Sequence, residues 1–279
     1  MTEPLKVATI GGGTGHYALL RALKLMPSVD IKAVVSVADS GGSSGELRDT
    51  HGVLPPGDLL KAVLALSEMD PDFVREFLLH RFEDGKFQDH TIGNLLIASH
   101  ASHTGNMLSA VRTLSAMLCV QHTVLPVTFA RMKINAHYSD GTTRKGEAAI
   151  DAYHGEAMIE SLSIEPSTAY VCAPAKEALM EADVIVIAPG SLYTSLLPVM
   201  KVPGVADLLQ QSRAPKVFVC NTMTQNGDTR GYCVHDFIRE IEKAIGCPLD
   251  RILVDSSTPD DDILAAYAKK NQFPVRCRE

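Results

Sequence analysis

The stretch LKVATIGGGTGHYALLRALKLMPSVDIKAVVSVA, residues 5–38, does most to limit what this chain can fold into. An apolar run at 5–10 meets glycine at once, as a buried strand does where it ends in a tight turn. Residues 17–26 then repeat apolar side chains at helical spacing until Pro27, which cannot continue a helix. Residues 31–38 are again apolar and β-branched. Strand, glycine loop, helix, strand is the opening of a βαβ unit, whose strands lie parallel. The same rhythm returns later, where AKEALMEA, GVADLLQQS and VHDFIREIEKAI precede the apolar runs DVIVIA, KVFVCN and RILVDSS. The pattern predicts an α/β fold: a doubly wound, mostly parallel Rossmann-like sheet of five or six strands flanked by helices.

Between these halves, helical spacing covers 58–68, with Asp58 as N-cap, then 70–82, TIGNLLIASHAS and MLSAVRTLSAMLC; TVLPVTF is a strand. Residues 132–151 alternate around Asp140-Gly141, the signature of a small β-hairpin insertion. A single α/β domain over 1–279, carrying that insertion, is the expected organisation. A net charge of −7 argues against nucleic acid and anionic membrane as partners. Six cysteines without a CxxC pair, and no secretory signal, point to reduced thiols and a cytoplasmic protein. No apolar run is long enough to span a bilayer.

Chemistry is expected in the loops, because ligands of open α/β sheets bind outside the carboxyl ends of the strands. Gly11, Gly12, Gly13, Thr14 and Gly15 lack the GK[ST] ending of a triphosphate-binding loop but contain Gly13-x-Gly15-x-x-Ala18, a dinucleotide-type fingerprint. Its alternative reading is a tight turn with no ligand. Asp39 ends the second strand and opens a second glycine loop with Ser40, Gly41, Gly42, Ser43 and Ser44, followed by Arg48. Consecutive amides there can form an anion nest, and two nests suit a diphosphate; a mobile lid is the alternative. Asp58 follows the stiff Pro55-Pro56 turn and reads as a helix cap, or as an acid near a metal. Further on, His90 and Asn94, then Gly190, Ser191, Tyr193 and Thr194, then Asn221, Thr224, Gln225 and Thr229 offer neutral hydrogen-bonding groups for a sugar or base. No nucleophile-elbow spacing surrounds Ser191, and no catalytic residue stands out.

Five ordered motifs, GGGTG, ADSGGSSGELR, LPPGD, IGNLL and PGSLYTS…CNTMTQNGDT, resemble the YvcK-like family of gluconeogenesis factors, a branch of the CofD-like group. The resemblance implies a Rossmann-like, cytoplasmic protein that binds a nucleotide sugar, UDP-N-acetylglucosamine, in a regulatory role tied to carbon metabolism, cell-wall synthesis and cell shape. The CofD branch implies instead a 2-phospholactate transferase with a nucleoside-diphosphate donor and Mg²⁺, which Asp39 and Asp58 would hold. An NAD(P)-dependent oxidoreductase, from the first fingerprint and Asp39, leaves the second glycine loop unexplained. The family's ADDGGSSG reads here with Ser40 for the second acid, and its MTQPGETD with Arg230 for the last acid. A homodimer and a regulatory protein partner are left open.

Overall fold

Apolar β-branched runs become strands because their side chains fill both faces of a covered sheet. In β1 (Leu5–Gly11), Ala8, Thr9 and Ile10 are fully buried. The computed structural model describes residues 3–277. After β1 come α1 (Gly13–Lys24), β2 (Val29–Val35), α2 (Gly42–His51), α3 (Gly57–Leu66), α4 (Pro71–Leu78), α5 (Ile92–Thr104), α6 (Met107–Met117) and β3 (Thr123–Pro126). The insertion follows as β4 (Lys133–Tyr138), β5 (Thr143–Lys145), α7 (Glu147–Asp151) and β6 (Ile159–Glu165). The second half is α8 (Ala173–Met180), β7 (Val184–Ile187), a π-helical turn at Leu192–Leu196, α9 (Leu197–Met200), α10 (Val205–Gln211), β8 (Lys216–Val219), α11 (Val234–Ile245), β9 (Arg251–Leu253) and α12 (Asp261–Ala268).

Six strands form one sheet in the order β3-β2-β1-β7-β8-β9, and every neighbouring pair is parallel. That is the doubly wound order expected, with the reversal between β1 and β7. Helix α3 is apolar on almost every side and buried accordingly, since only Lys61 of its ten residues reaches partly to solvent. It packs against α1 and α6 and carries Asp58 into the interior.

Two expectations need correction. The hairpin is real, but Ile159–Glu165 adds a third strand, pairing antiparallel to β4 from Lys133↔Glu165. Its alternation of apolar and polar residues is present in the sequence but lies beyond a short helix, so adjacency along the chain did not connect it to the hairpin. The N-cap of α3 is Pro56, with no side-chain cap, so Asp58 sits inside the first turn and does other work.

Candidate functional site at the strand ends

The loops after β1, β2, β7 and β8 meet at one edge of the sheet, where the strand order reverses. In the first loop, a Cβ on Gly12 would lie 2.5 Å from Asp58 Oδ2, and one on Gly15 would run into the Pro189 carbonyl oxygen. These two glycines are required by contacts within the protein. The Gly13 amide at the start of α1 donates to the Asp58 carboxylate, so the positive end of that helix already has an anion. Thr14 is exposed beside it. Beneath the loop, His16 Nε2 pairs with Thr9 Oγ1 at 2.8 Å, and burial pulls its imidazole down to about 4, so it is neutral at pH 7.

The second glycine stretch is a loop only as far as Gly41; Gly42, Ser43 and Ser44 form the first turn of α2, a correction to the all-loop reading. Nothing lies within 4 Å of where a Gly42 Cβ would stand, and its φ of +45° is the left-handed conformation that glycine adopts without strain. The Asp39 carboxylate accepts the Gly41 amide at 2.9 Å and turns the chain there. The loop borders a cleft of about 270 Å³ with Asp39, Gly41, Gly42, Ser43, Ser44, Lys61, Thr91 and Asn94 in its wall. Ser43 Oγ is fixed by His90 Nδ1 at 2.9 Å and by Asn94 Nδ2 at 3.2 Å. Asn94 Oδ1 is buried without a partner. Ser44 Oγ instead receives the Gly57 amide at 3.1 Å. Arg48 is buried, with its guanidinium on the Asp39 carbonyl at 3.3 Å and on Asp49, so it braces the loop. Ser40 turns away from the cleft: its hydroxyl accepts the Ala148 amide at 3.1 Å and caps α7.

Three carboxylates converge beside the cleft. The Ser40 amide donates to Glu147 Oε2 at 2.9 Å, and Glu147 also shares a hydrogen bond with Asp39. Burial first, then Asp39 and Asp58, push the Glu147 carboxyl well above the usual carboxylate range. Asp58 is likewise raised by burial, against the pull of Lys61, whose ammonium lies 3.1 Å away. Burial opposes the charge on Lys61, but Asp58, Asp39 and Glu147 outweigh it and move the ammonium up. Such an arrangement favours retained protons or a cation. Among the described residues no three His, Cys, Asp or Glu side chains are set to hold an ion by themselves. Mg²⁺ commonly takes one or two carboxylates and completes its shell with water and phosphate oxygens, so Asp39 and Asp58 fit it in donor chemistry.

The second-half residues divide. Asn221 pairs reciprocally with Gly190, its Oδ1 taking the amide at 3.2 Å and its Nδ2 giving to the carbonyl at 2.7 Å, which ties two loops together. The Tyr193 and Tyr232 hydroxyls meet at 2.8 Å inside the protein. Thr224 Oγ1 accepts the Phe273 amide at 2.9 Å, and Thr229 Oγ1 the Gln225 amide at 2.8 Å. Gln225 Oε1 is buried without a partner. Ser191 and Thr194 join their hydroxyls at 2.7 Å beside Asp228 and Asp151. Burial, then Asp151, push the buried Asp228 carboxyl up to about 7. Local burial of its carboxyl also raises Asp151, against the pull of its hydrogen bond with Thr194.

Sequence reasoning passed over Lys61, Glu147, Asp151 and Asp228. Lys61 carried a usable signal, three residues beyond Asp58 on one helix face. Asp228 lies within a quoted motif between residues singled out. Glu147 and Asp151 lie at the ends of α7, and only the fold of the insertion brings them to the sheet edge.

Strand order and a glycine-lined crevice at the reversal define a Rossmann-like α/β protein of the ligand-binding kind. Residues 7–279 match the family described as 2-phospho-L-lactate transferase CofD, and the chain belongs to that family. It is 41% identical to the gluconeogenesis factor of Halalkalibacterium halodurans, over 96% of this chain and 83% of that protein. It is 39% identical to the gluconeogenesis factor of Bacillus subtilis, over 99% of this chain and 86% of that protein. A crystal structure of a Bacillus halodurans protein superposes with a TM-score of 0.94 at 40% identity, covering 99% of this chain and 88% of that one. The resemblance drawn from the five motifs therefore holds.

Proposed function

We propose that this chain, acting as one CofD-like unit, binds a nucleotide diphosphate of the UDP-N-acetylglucosamine type at the second glycine loop and acts as a regulator rather than a catalyst. The observation that carries the reading is the open backbone of residues 41–44, facing a cleft with Lys61 and Asn94 in its wall. The amides leading into and opening α2, with Lys61, suit phosphate oxygens. The acids beside Lys61 oppose a diphosphate unless a cation intervenes, so Mg²⁺ bound by Asp39 and Asp58 belongs to the reading. The names of the relatives support a link to carbon metabolism; the roles in cell-wall synthesis and cell shape, and the cytoplasmic location, belong to the proposal. No helix among the described residues is long and apolar enough to cross a membrane.

Calorimetric titration with UDP-N-acetylglucosamine, with and without Mg²⁺, is the test. Binding strengthened by Mg²⁺ is expected; no heat at millimolar ligand sinks the reading. A second reading, a phospholactyl-type transferase, is favoured by the family and by the Asp39, Asp58 and Glu147 cluster. Incubation with a deazaflavin alcohol and a nucleotide-activated phospholactate donor, followed by mass spectrometry, separates the two. Dinucleotide binding at the first loop has less support, because Asp58 already meets the Gly13 amide.

A further inference from the structure

Ser43, Glu46 and His90 come from two segments well apart in the chain and form one row of polar contacts. Ser43 and Glu46 stand one turn apart on α2, and His90 precedes α5. Ser43 Oγ lies 2.9 Å from His90 Nδ1, and His90 Nε2 lies 3.5 Å from Glu46 Oε2. Asn94 Nδ2 donates to the same Ser43 oxygen at 3.2 Å. These partners set the direction of the row. A carboxylate only accepts, so Glu46 selects the imidazole tautomer with its proton on Nε2. Nδ1 is then the acceptor, and the Ser43 hydroxyl donates to it. A serine oxygen carries two lone pairs, and Asn94 engages one. Among the described residues nothing else hydrogen-bonds to this oxygen. A hydroxyl within reach of a base, with that base held by a third group, is the arrangement that activates a nucleophile.

The surroundings suit an acyl group. Ser43 is the second residue of α2 and part of the wall of the cleft of about 270 Å³. The backbone bonding of that helix begins with the Gly45 amide on the Gly41 carbonyl at 3.1 Å, so the amides of Gly42, Ser43 and Ser44 have no partner within it. Negative charge developing beside Ser43 meets those amides and the positive end of the helix dipole. The wall also holds Asp39, and its Lys61 is engaged by Asp58. An uncharged carbonyl enters such a cleft without a cation, and the small volume suits a short chain. We propose that Ser43 is a base-activated nucleophile that takes a short acyl group from an activated carboxylic ester. Its Oγ attacks the carbonyl carbon while the hydroxyl proton passes to His90 Nδ1, and the carbonyl electron pair moves onto oxygen. That pair returns, the bond to the leaving alcohol breaks, and the alcohol takes the proton from His90. Ester and serine become acyl-serine and alcohol, with no oxidant, reductant or cofactor. Glu46 is a positioning residue that acts through His90. The step is a single transfer onto the protein and uses neither nucleotide nor Mg²⁺, so it stands apart from the preceding reading.

The full chain, free of nucleotide and Mg²⁺, is mixed with p-nitrophenyl acetate, and release of nitrophenol is followed from the first seconds. A burst approaching one equivalent per chain is expected, with the acetyl group on Ser43 in the tryptic peptide 33–48. Ser43→Ala, a change that a helix accepts readily, removes the burst. His90→Gln slows it by about a hundredfold or more. Glu46 is read spectroscopically: nitrogen-15 spectra of histidine-labelled protein show the His90 proton on Nε2, and in Glu46→Ala it spreads over both ring nitrogens. No burst, a burst that survives in Ser43→Ala, an acetyl group on Lys61, His90 or Ser191 with Ser43 unmodified, or a His90 proton held on Nδ1 would overturn the proposal.

Discussion

The two glycine loops look alike as text and behave differently in space. In the first, glycine exists because protein atoms occupy the room a side chain would need: Asp58 against Gly12 and the Pro189 carbonyl against Gly15. In the second, the Gly42 position opens onto empty space. Glycine richness therefore signals close approach without saying what approaches. In one loop the approaching group belongs to the chain itself; in the other the room is left for something else.

Gly15→Ala breaks the first loop and is the largest effect. A methyl driven into a backbone carbonyl destabilises the fold by about 3 kcal/mol or more, read as loss of soluble protein or a large drop in the urea midpoint. A near-native midpoint would show that the close approach is not real.

The second effect concerns the acids that ring the crevice. Folded Asp228 holds its proton up to about pH 7, whereas an unfolded Asp loses it near pH 4. Across that window the native state binds the extra proton, so the Asp228 contribution to stability of the ligand-free protein falls as pH rises from 4 to 7 and then levels off. The raised carboxyls of Asp58, Glu147 and Asp151 act in the same direction. Asp228→Asn is expected to reduce this slope and to raise stability at pH 8 by about 2 kcal/mol, followed by thermal melts from pH 5 to 8. An unchanged slope rules out Asp228 as its source.

Gly42→Ala tests the second loop. The left-handed backbone costs an alanine about 1 kcal/mol, with no steric clash to add. Affinity for UDP-N-acetylglucosamine should fall by about tenfold or more, equal to roughly 1.4 kcal/mol, because the amides that face the cleft shift. Lost stability with intact binding would move the ligand away from this loop.

Ser40→Ala is the smallest. Removing the hydroxyl that caps α7 costs about 1 kcal/mol, and Ser40→Asp, which can still accept the Ala148 amide, is expected to restore it. Equal melting of all three proteins would mean that this tether between the loop and the insertion carries no energy.

Ser40 also shows how far the sequence can be read. An acid replaced by serine looks like a lost metal ligand, yet in the fold that position faces a helix end, and either residue can cap it. Arg48 reads as a charged ligand donor and proves to be a brace. Local order was legible: the β1-α1-β2 unit, the later strand and helix alternation and the hairpin all follow from apolar periodicity and turn residues, which depend on near neighbours. The third strand of the insertion was not, because its partner is set by a contact across a helix.

By itself the sequence determined the parallel α/β architecture, the family and the set of loops in which any site must lie, since hydrophobic period and turn chemistry are local properties. Only the tertiary structure decided which glycines face protein and which face a cleft. It also set Glu147 against Asp39 and gave Asp58 to the Gly13 amide. Each of these depends on burial and on the approach of segments distant in the chain, and neither is carried by residue type or spacing.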